Sequence, residues 1–378
     1  MSMNHDSMAD TGDVRQAIRA AASGLLERDA LVEVLFLAAI AGEHVLVVGP
    51  PGTAKSQVVR NVAHQLGGSY FEYLLGRFTE PNEIFGPVDL RKLREGTVEI
   101  ETSGMLPEAH IAFIDEVFLG STAILNTLLG ILNERVFRRG STVVNVPLRL
   151  CVGASNTMPT DPSLAAFADR FLVRMFLEPI DDALMEDLLK TTWETPAAPE
   201  ATSSALSLEH LDRLRAARQE CDLSAVRPSL AHAIRAMRTA GVPITDRRAV
   251  KAQSLVAAAA VLDGRNVASR ADLWPLPLIV PTNESQIAAR EVLGPLLDDA
   301  ANAVTPHAAE LLSASRASRA HRLVERCNEV LSPDTREPGE MRLRTEAILR
   351  EIDASFSVEQ LTPELRSARE RVVELLGE

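Results

Sequence analysis

The feature that most constrains this chain is the octet GPPGTAKS at residues 49–56, set between an aliphatic run and a helix-forming one. Residues 45–48 are VLVV, which reads as a buried strand stopped by Gly-Pro-Pro-Gly. Residues 55–66 have helical character and close on Gly67-Gly68. A strand, a glycine-bearing loop and a helix in this order gather backbone N–H groups and a helix N-terminus around one point, which suits the negative charge of a phosphate chain. Lys55 then reaches the β- and γ-phosphates, and the Ser56 hydroxyl is a ligand for Mg²⁺. The candidate nucleotide-binding segment is Gly49, Pro50, Pro51, Gly52, Thr53, Ala54, Lys55, Ser56 and Gln57. Ala54 stands where the general pattern has glycine, and it fits if its φ is negative, as at a helix start.

Further short aliphatic runs at residues 70–74, 111–114, 148–153 and 172–176 alternate with helical patterns. Such alternation implies a parallel sheet covered on both faces. Residues 14–41 read as helical, residues 123–135 place Ile124, Leu125, Leu128, Leu129 and Leu132 on one helical face, and residues 136–146 read as a hairpin turning at Gly140-Ser141. Composition changes near Glu178, and residues 193–204 form a Pro/Ala/Thr-rich linker. Beyond them the patterns are almost wholly helical, interrupted by the proline-broken stretch at 274–282. The expected division is a disordered leader at 1–13, an α/β nucleotide-binding domain at 14–179, an all-α lid at 180–281 and a helical C-terminal region at 282–378.

Three later segments add chemistry to the loop. Residues 111–116, IAFIDE, end a strand in two carboxylates, which is costly unless they face a cation or solvent. Asp115 would hold Mg²⁺, and Glu116 would orient and deprotonate an attacking water. Residues 148–156, LRLCVGASN, end a strand in Asn156, a neutral donor for the γ-phosphate and the water. Arg170, in Asp169-Arg170-Phe171, is placed to enter a neighbouring subunit's site, and Arg248, with Arg247 as a rival, is placed to contact the γ-phosphate from the lid.

Taken together, GPPGTAKS, FEYLLGRFTEPNEIFGPVDL, SGMLPEAHIAFIDEV, ILNTLLGILNERVFRRG, LRLCVGASN, FADRF and TDRRA resemble an AAA+ ATPase, and within that superfamily the MoxR family, in particular its RavA-like branch. These segments run in order from Gly49 to Ala249. The resemblance implies a P-loop core with a five-stranded parallel sheet. It makes Lys55 and Ser56 the Walker A pair, Asp115 and Glu116 the Walker B pair, and Asn156 sensor 1. Arg170 becomes the arginine finger, and Arg248 resembles the sensor 2 arginine. Residues 79–106 resemble the helix-2 insert, with Phe78, Ile84, Phe85 and Leu90 facing a ring pore or a client. ATP and Mg²⁺ are the implied cofactors. A hexameric ring, a protein client and a partner with a von Willebrand factor A domain are the implied associations. RavA-like proteins usually carry a longer C-terminal extension with a β-containing module, whereas the tail after Glu284 reads here as short and helical.

Composition narrows the alternatives. With 39 Lys+Arg against 52 Asp+Glu the net charge is −13, which opposes sequence-independent nucleic-acid binding. Arg135, Arg138 and Arg139 make the dense basic patch of the core. Three scattered cysteines, Cys151, Cys221 and Cys327, fit buried thiols in a reducing cytosol. The polar N-terminus and short apolar runs give no signal peptide or membrane span, so a cytoplasmic protein is expected. A nucleotide-gated assembly scaffold, a nucleic-acid motor and a small-molecule kinase are the competing readings.

Overall fold

The computed structural model describes residues 3–180, 185–194, 206–313, 316–331, 338–356 and 361–377. Its elements in chain order begin with α1 (Met3–Ala22), α2 (Asp29–Ala41), β1 (Val45–Val48), α3 (Lys55–Leu66), β2 (Tyr70–Leu74), α4 (Pro81–Phe85) and α5 (Leu90–Arg94). Next come β3 (Ile111–Asp115), α6 (Thr122–Glu134), β4 (Val136–Arg139), β5 (Thr142–Asn145), β6 (Leu150–Ser155), α7 (Pro162–Ala168) and β7 (Val173–Phe176). The helical half comprises α8 (Met185–Glu194), α9 (Leu208–Glu220), α10 (Arg227–Thr239), α11 (Asp246–Leu262), α12 (Asn283–Leu297), α13 (Pro306–Ser313), α14 (Arg316–Val330), α15 (Pro338–Ser355) and α16 (Pro363–Gly377). Among the described residues no helix is long and apolar enough to cross a membrane.

As expected, five strands form one parallel sheet; their order is β2-β3-β6-β1-β7. Strand β1, paired on both sides by β6 and β7, is buried along its whole length, which is why it reads as an unbroken aliphatic run. Its alternate residues serve two cores. Val45 and Val47 join the face carrying α1, α2 and α3, while Leu46 and Val48 join the face carrying α6 and α7. The register matters more than the packing for function. Val48 lies opposite Ser155 and Phe176, and Leu74 lies opposite Asp115, so the carboxyl ends of β1, β3 and β6 finish at one edge. Loops leaving that edge are where ligands bind in sheets of this kind.

Several expectations are corrected. Residues 3–13, expected disordered, lie in α1. Val14, Ala17, Ile18 and Ala21 bury one face of that helix, and Asn61 Nδ2 donates to the Ala21 carbonyl at 3.0 Å, so the helix is anchored at its C-terminal end and propagates back into the polar leader. The single helix over 14–41 is two, because Gly24 takes φ +75° and residues 23–28 turn the chain. The separate helical region from 282 is divided. Leu293, Leu297, Ala308 and Leu312, on α12 and α13, bury in the same cluster as the lid helices, and only α14–α16 build a core of their own around Leu323, Ile352 and Leu365. Of the linker at 193–204, Trp193 and Glu194 end α8, and residues 195–204 lie outside the described residues. In the insert, Ile84 and Phe85 are fully buried, Phe85 stacking on Phe137 of the hairpin at 5.6 Å. Phe78 and Leu90 are exposed, at 95% and 68%.

Candidate nucleotide site

The phosphate loop is built by backbone constraints that the sequence states locally. A Cβ on Gly49 would stand 2.8 Å from the Leu177 carbonyl, so only glycine lets the loop leave β1 against the end of β7. Gly52 takes φ +81°. Ala54 corrects the expectation of a negative φ: it sits at φ +60°, ψ 22°, in the left-handed region. That conformation costs an L-residue about 1–2 kcal/mol, and the turn into α3 imposes it. Thr53 Oγ1 donates to the Pro50 carbonyl at 2.9 Å and steadies the loop from within.

Lys55 is nearly buried. Its Nζ donates to the Gly49 carbonyl at 2.7 Å and the Pro50 carbonyl at 3.0 Å, with Asn156 Oδ1 at 3.5 Å. Burial pulls its pKa down, against the opposing pull of Asp115 and Glu116. On the facing side, Glu116 N–H donates to Asp115 Oδ1 at 2.9 Å, and Asn156 Nδ2 donates to Glu116 Oε1 at 2.5 Å. Glu116 also sits at positive φ, +48°, a strained conformation of the kind concentrated at functional sites. Pro51, Gly52, Thr53, Ala54, Lys55, Ser56, Asp115, Glu116 and Asn156 line one cavity of about 340 Å³. The donor set fits a magnesium nucleotide. The Ser56 hydroxyl and the Asp115 carboxylate are hard oxygen donors, and the loop and Lys55 supply positive potential beside them.

Gly49 and Pro50 lie behind this cavity and present carbonyls to Lys55. Gln57 is not among its lining residues; it donates from Nε2 to Asn61 Oδ1 at 2.8 Å along α3. Arg248 is the larger departure. It does not line the cavity and is 2% exposed. Its Nε pairs with Asp169 Oδ1 at 2.6 Å, and its other nitrogens donate to the carbonyls of Ile279 (2.7 Å), Leu172 (3.1 Å) and Phe171 (3.2 Å). The cause is local. Thr245 caps α11 by accepting the Arg248 N–H, which seats the side chain one turn into the helix, over the entry to β7. Arg247 instead donates to Asn133 Oδ1 at 3.0 Å, at the end of α6. Arg170 stands at the opposite edge of the sheet, just before β7, and its buried Nε has no hydrogen-bond partner among the described residues.

Arg28 escaped the sequence reading. It is 5% exposed and donates from Nε to the Thr53 carbonyl at 3.0 Å and from Nη2 to the Glu178 carbonyl at 3.1 Å. It thereby ties the phosphate loop to the strand exit behind it. Burial lowers its pKa, with Glu27 opposing. No local signal marks it, since Glu27-Arg28-Asp29 reads as a charged turn. Arg28 also borders a second cavity of about 570 Å³, whose walls include Leu31, Met175, Leu177 and Gln286.

Comparison with known proteins follows the same outline. The family described as the MoxR domain in the MoxR-vWA-beta-propeller ternary systems matches residues 12–216, and an AAA lid domain matches residues 222–290. An uncharacterized protein of Methanocaldococcus jannaschii is 36% identical over 253 residues, 66% of either chain. A second from the same organism is also 36% identical, over 66% of this chain and 65% of its own, so this chain spans just under two thirds of the length of these relatives. The chaperone MoxR1 of Mycobacterium tuberculosis is 27% identical over 40% of each chain. Among solved structures, a candidate ATPase from Cytophaga hutchinsonii superposes with a TM-score of 0.63 at 15% identity, over 79% of this chain and 97% of its own, a likeness of fold.

Proposed function

The chain belongs to the MoxR family of AAA+ ATPases, and from that premise we propose that it hydrolyses ATP with Mg²⁺ in a ring of identical copies and uses the cycle to remodel protein clients. The observation that carries this reading is the cavity in which Lys55, Ser56, Asp115, Glu116 and Asn156 converge from three strand ends. Lys55 and the loop N–H groups hold the phosphates, while Ser56 and Asp115 hold the metal, which supplies charge neutralisation when bound. Glu116 takes the proton of the attacking water at its carboxylate, and Asn156 orients that carboxylate through the bond already formed. The apolar wall of the 570 Å³ cavity beside Arg28 receives the nucleoside end. Arg170 completes a neighbour's site, where it offsets charge developing in the transition state.

The matched family's description carries a vWA and a beta-propeller component, and we assign this chain partners of those kinds. A chaperone-like role is in keeping with the name of the mycobacterial relative. Placement in the RavA-like branch, a hexameric ring and a cytoplasmic location belong to the same reading, the last in keeping with three buried free thiols.

The experiment is ATP turnover against protein concentration for the wild type and Arg170→Ala, with mass measured in parallel. Specific activity that climbs with assembly and collapses in the variant is the expected result. A concentration-independent rate indifferent to Arg170 would overturn the shared-site ring.

A further inference from the structure

The 168–172 turn, which carries Arg170, is held from two sides by buried arginines. From the lid, Arg248 takes the carbonyls of Phe171 and Leu172 and the carboxylate of Asp169. From β7, Arg174, also 2% exposed, donates to the carbonyls of Ala168 at 2.5 Å and Phe171 at 3.2 Å and to Met158 Sδ at 3.4 Å. The Arg170 N–H donates to the Phe167 carbonyl. Every backbone carbonyl from 167 to 172 other than those of 169 and 170 is thus an acceptor, and the backbone that carries Arg170 cannot move without breaking several bonds. The nearest carboxylate in sequence, Asp169, is occupied by Arg248, so it does not pair with Arg170. The same clamp reaches outward. Arg248 binds the Ile279 carbonyl, Gln286 Nε2 donates to the Arg174 carbonyl, and Met158 lies two residues beyond Asn156.

We propose that Arg248, with Arg174, is a positioning residue for Arg170: it fixes the turn and keeps Asp169 away from Arg170, so that the lid of one copy tunes hydrolysis in the site of the next. This rests on the reading of Arg170 as acting in a neighbouring copy. It differs from a sensor role for Arg248, which would place that guanidinium on its own chain's nucleotide. To get there Arg248 would abandon four hydrogen bonds and leave Asp169 unpaired.

Subunit mixing separates the two. Arg248→Lys alone should bind a fluorescent ATP analogue like the wild type while its turnover falls about tenfold to a hundredfold, the scale of a misplaced group. Mixed with Glu116→Gln before assembly, it should regain turnover above the sum of the two, because its intact site then meets a neighbour with a well-held Arg170. Arg170→Ala mixed with Glu116→Gln is the control and should also recover. Recovery in the control but not with Arg248→Lys, or loss of analogue binding by Arg248→Lys, would overturn the proposal and return Arg248 to its own site or to the fold. Failure of the control would instead overturn the shared-site reading, and the inference with it. If Arg248→Lys does not fold, Asp169→Asn, which keeps the shape and removes the charge, is read by the same mixing and should show the same pattern more weakly.

Discussion

The two edges of the central sheet treat their cations in opposite ways. At the carboxyl edge Lys55 rests on two loop carbonyls, with Asn156 Oδ1 at 3.5 Å, and lines a cavity, so its charge is open to a ligand. At the amino edge Arg248 and Arg174 are spent on backbone carbonyls and Asp169, and their charge is committed to the fold. One edge points its cation into a cavity, while the other spends its cations on carbonyls that hold a turn still. Arg170 sits on the second edge, and its buried Nε has no hydrogen-bond partner among the described residues. The contrast teaches that burial of a cation does not by itself report a site. What distinguishes the edges is whether the cation lines a cavity that a ligand can enter.

The sharpest break between the edges is chemical. Glu116→Gln should lower turnover by about 10²–10⁴-fold, the range for loss of a general base, while nucleotide binding persists. Turnover within a few-fold of wild type would remove Glu116 from the chemistry. A second contrast is in stability. Arg248→Met strips a clamp and leaves Asp169 uncompensated, so chemical denaturation should show a loss of about 3 kcal/mol. Lys55→Met should cost under about 1 kcal/mol while abolishing nucleotide binding, because its site faces a cavity. Equal losses would mean that the two edges hold their cations alike.

The carboxyl edge is also backed by the chain's later helices. His307 Nδ1 lies 2.9 Å from Glu33 Oε1, whose other oxygen accepts the Ala308 N–H at 2.6 Å. Glu33 follows Arg28 by little more than one helical turn on the same chain segment. Burial works against a charged His307, but the Glu33 hydrogen bond and charge prevail, and its pKa rises from 6.5 to about 9. A raised histidine stabilises the fold fully below its unfolded value of 6.5, and the contribution disappears as pH climbs through about 9. Melting temperature should therefore fall across that window, and His307→Gln should flatten the slope. An unchanged slope would remove the ion pair from the account. The smallest effect expected is at Ala54, where glycine relieves a left-handed backbone. Ala54→Gly should raise stability by roughly 0.5–1 kcal/mol after the entropy of the unfolded chain is deducted. A destabilised Ala54→Gly would mean that the alanine methyl contributes packing at the carboxyl edge.

Much of the carboxyl edge was legible because its signals are short. The β1 strand, its glycine stop and α3 lie within 22 residues, and a carboxylate pair or an asparagine at a strand end needs only a count along the chain. The five strands were readable from their aliphatic runs, although β6 starts at Leu150, after the Arg149 N–H has bonded the His110 carbonyl. The amino edge was read less well. Arg248 looked like a ligand for phosphate because an arginine opening a lid helix carries no mark of where its guanidinium ends. Arg28 was missed for the same reason. Its partners Thr53 and Glu178 lie 25 and 150 residues away.

By itself the sequence determined the order of strands and helices, the phosphate loop and the chemical types gathered at the carboxyl edge. These follow from backbone preferences and side-chain periodicity acting over a few residues. The tertiary structure alone decided which cations remain available. Saturation of a guanidinium depends on carbonyls brought from distant segments, as when Ile279 and Phe171 meet on Arg248. It also decided that α12 and α13 join the main core while α14–α16 fold around their own, because amphipathic helices of similar composition choose their partners by shape and by the surface left uncovered.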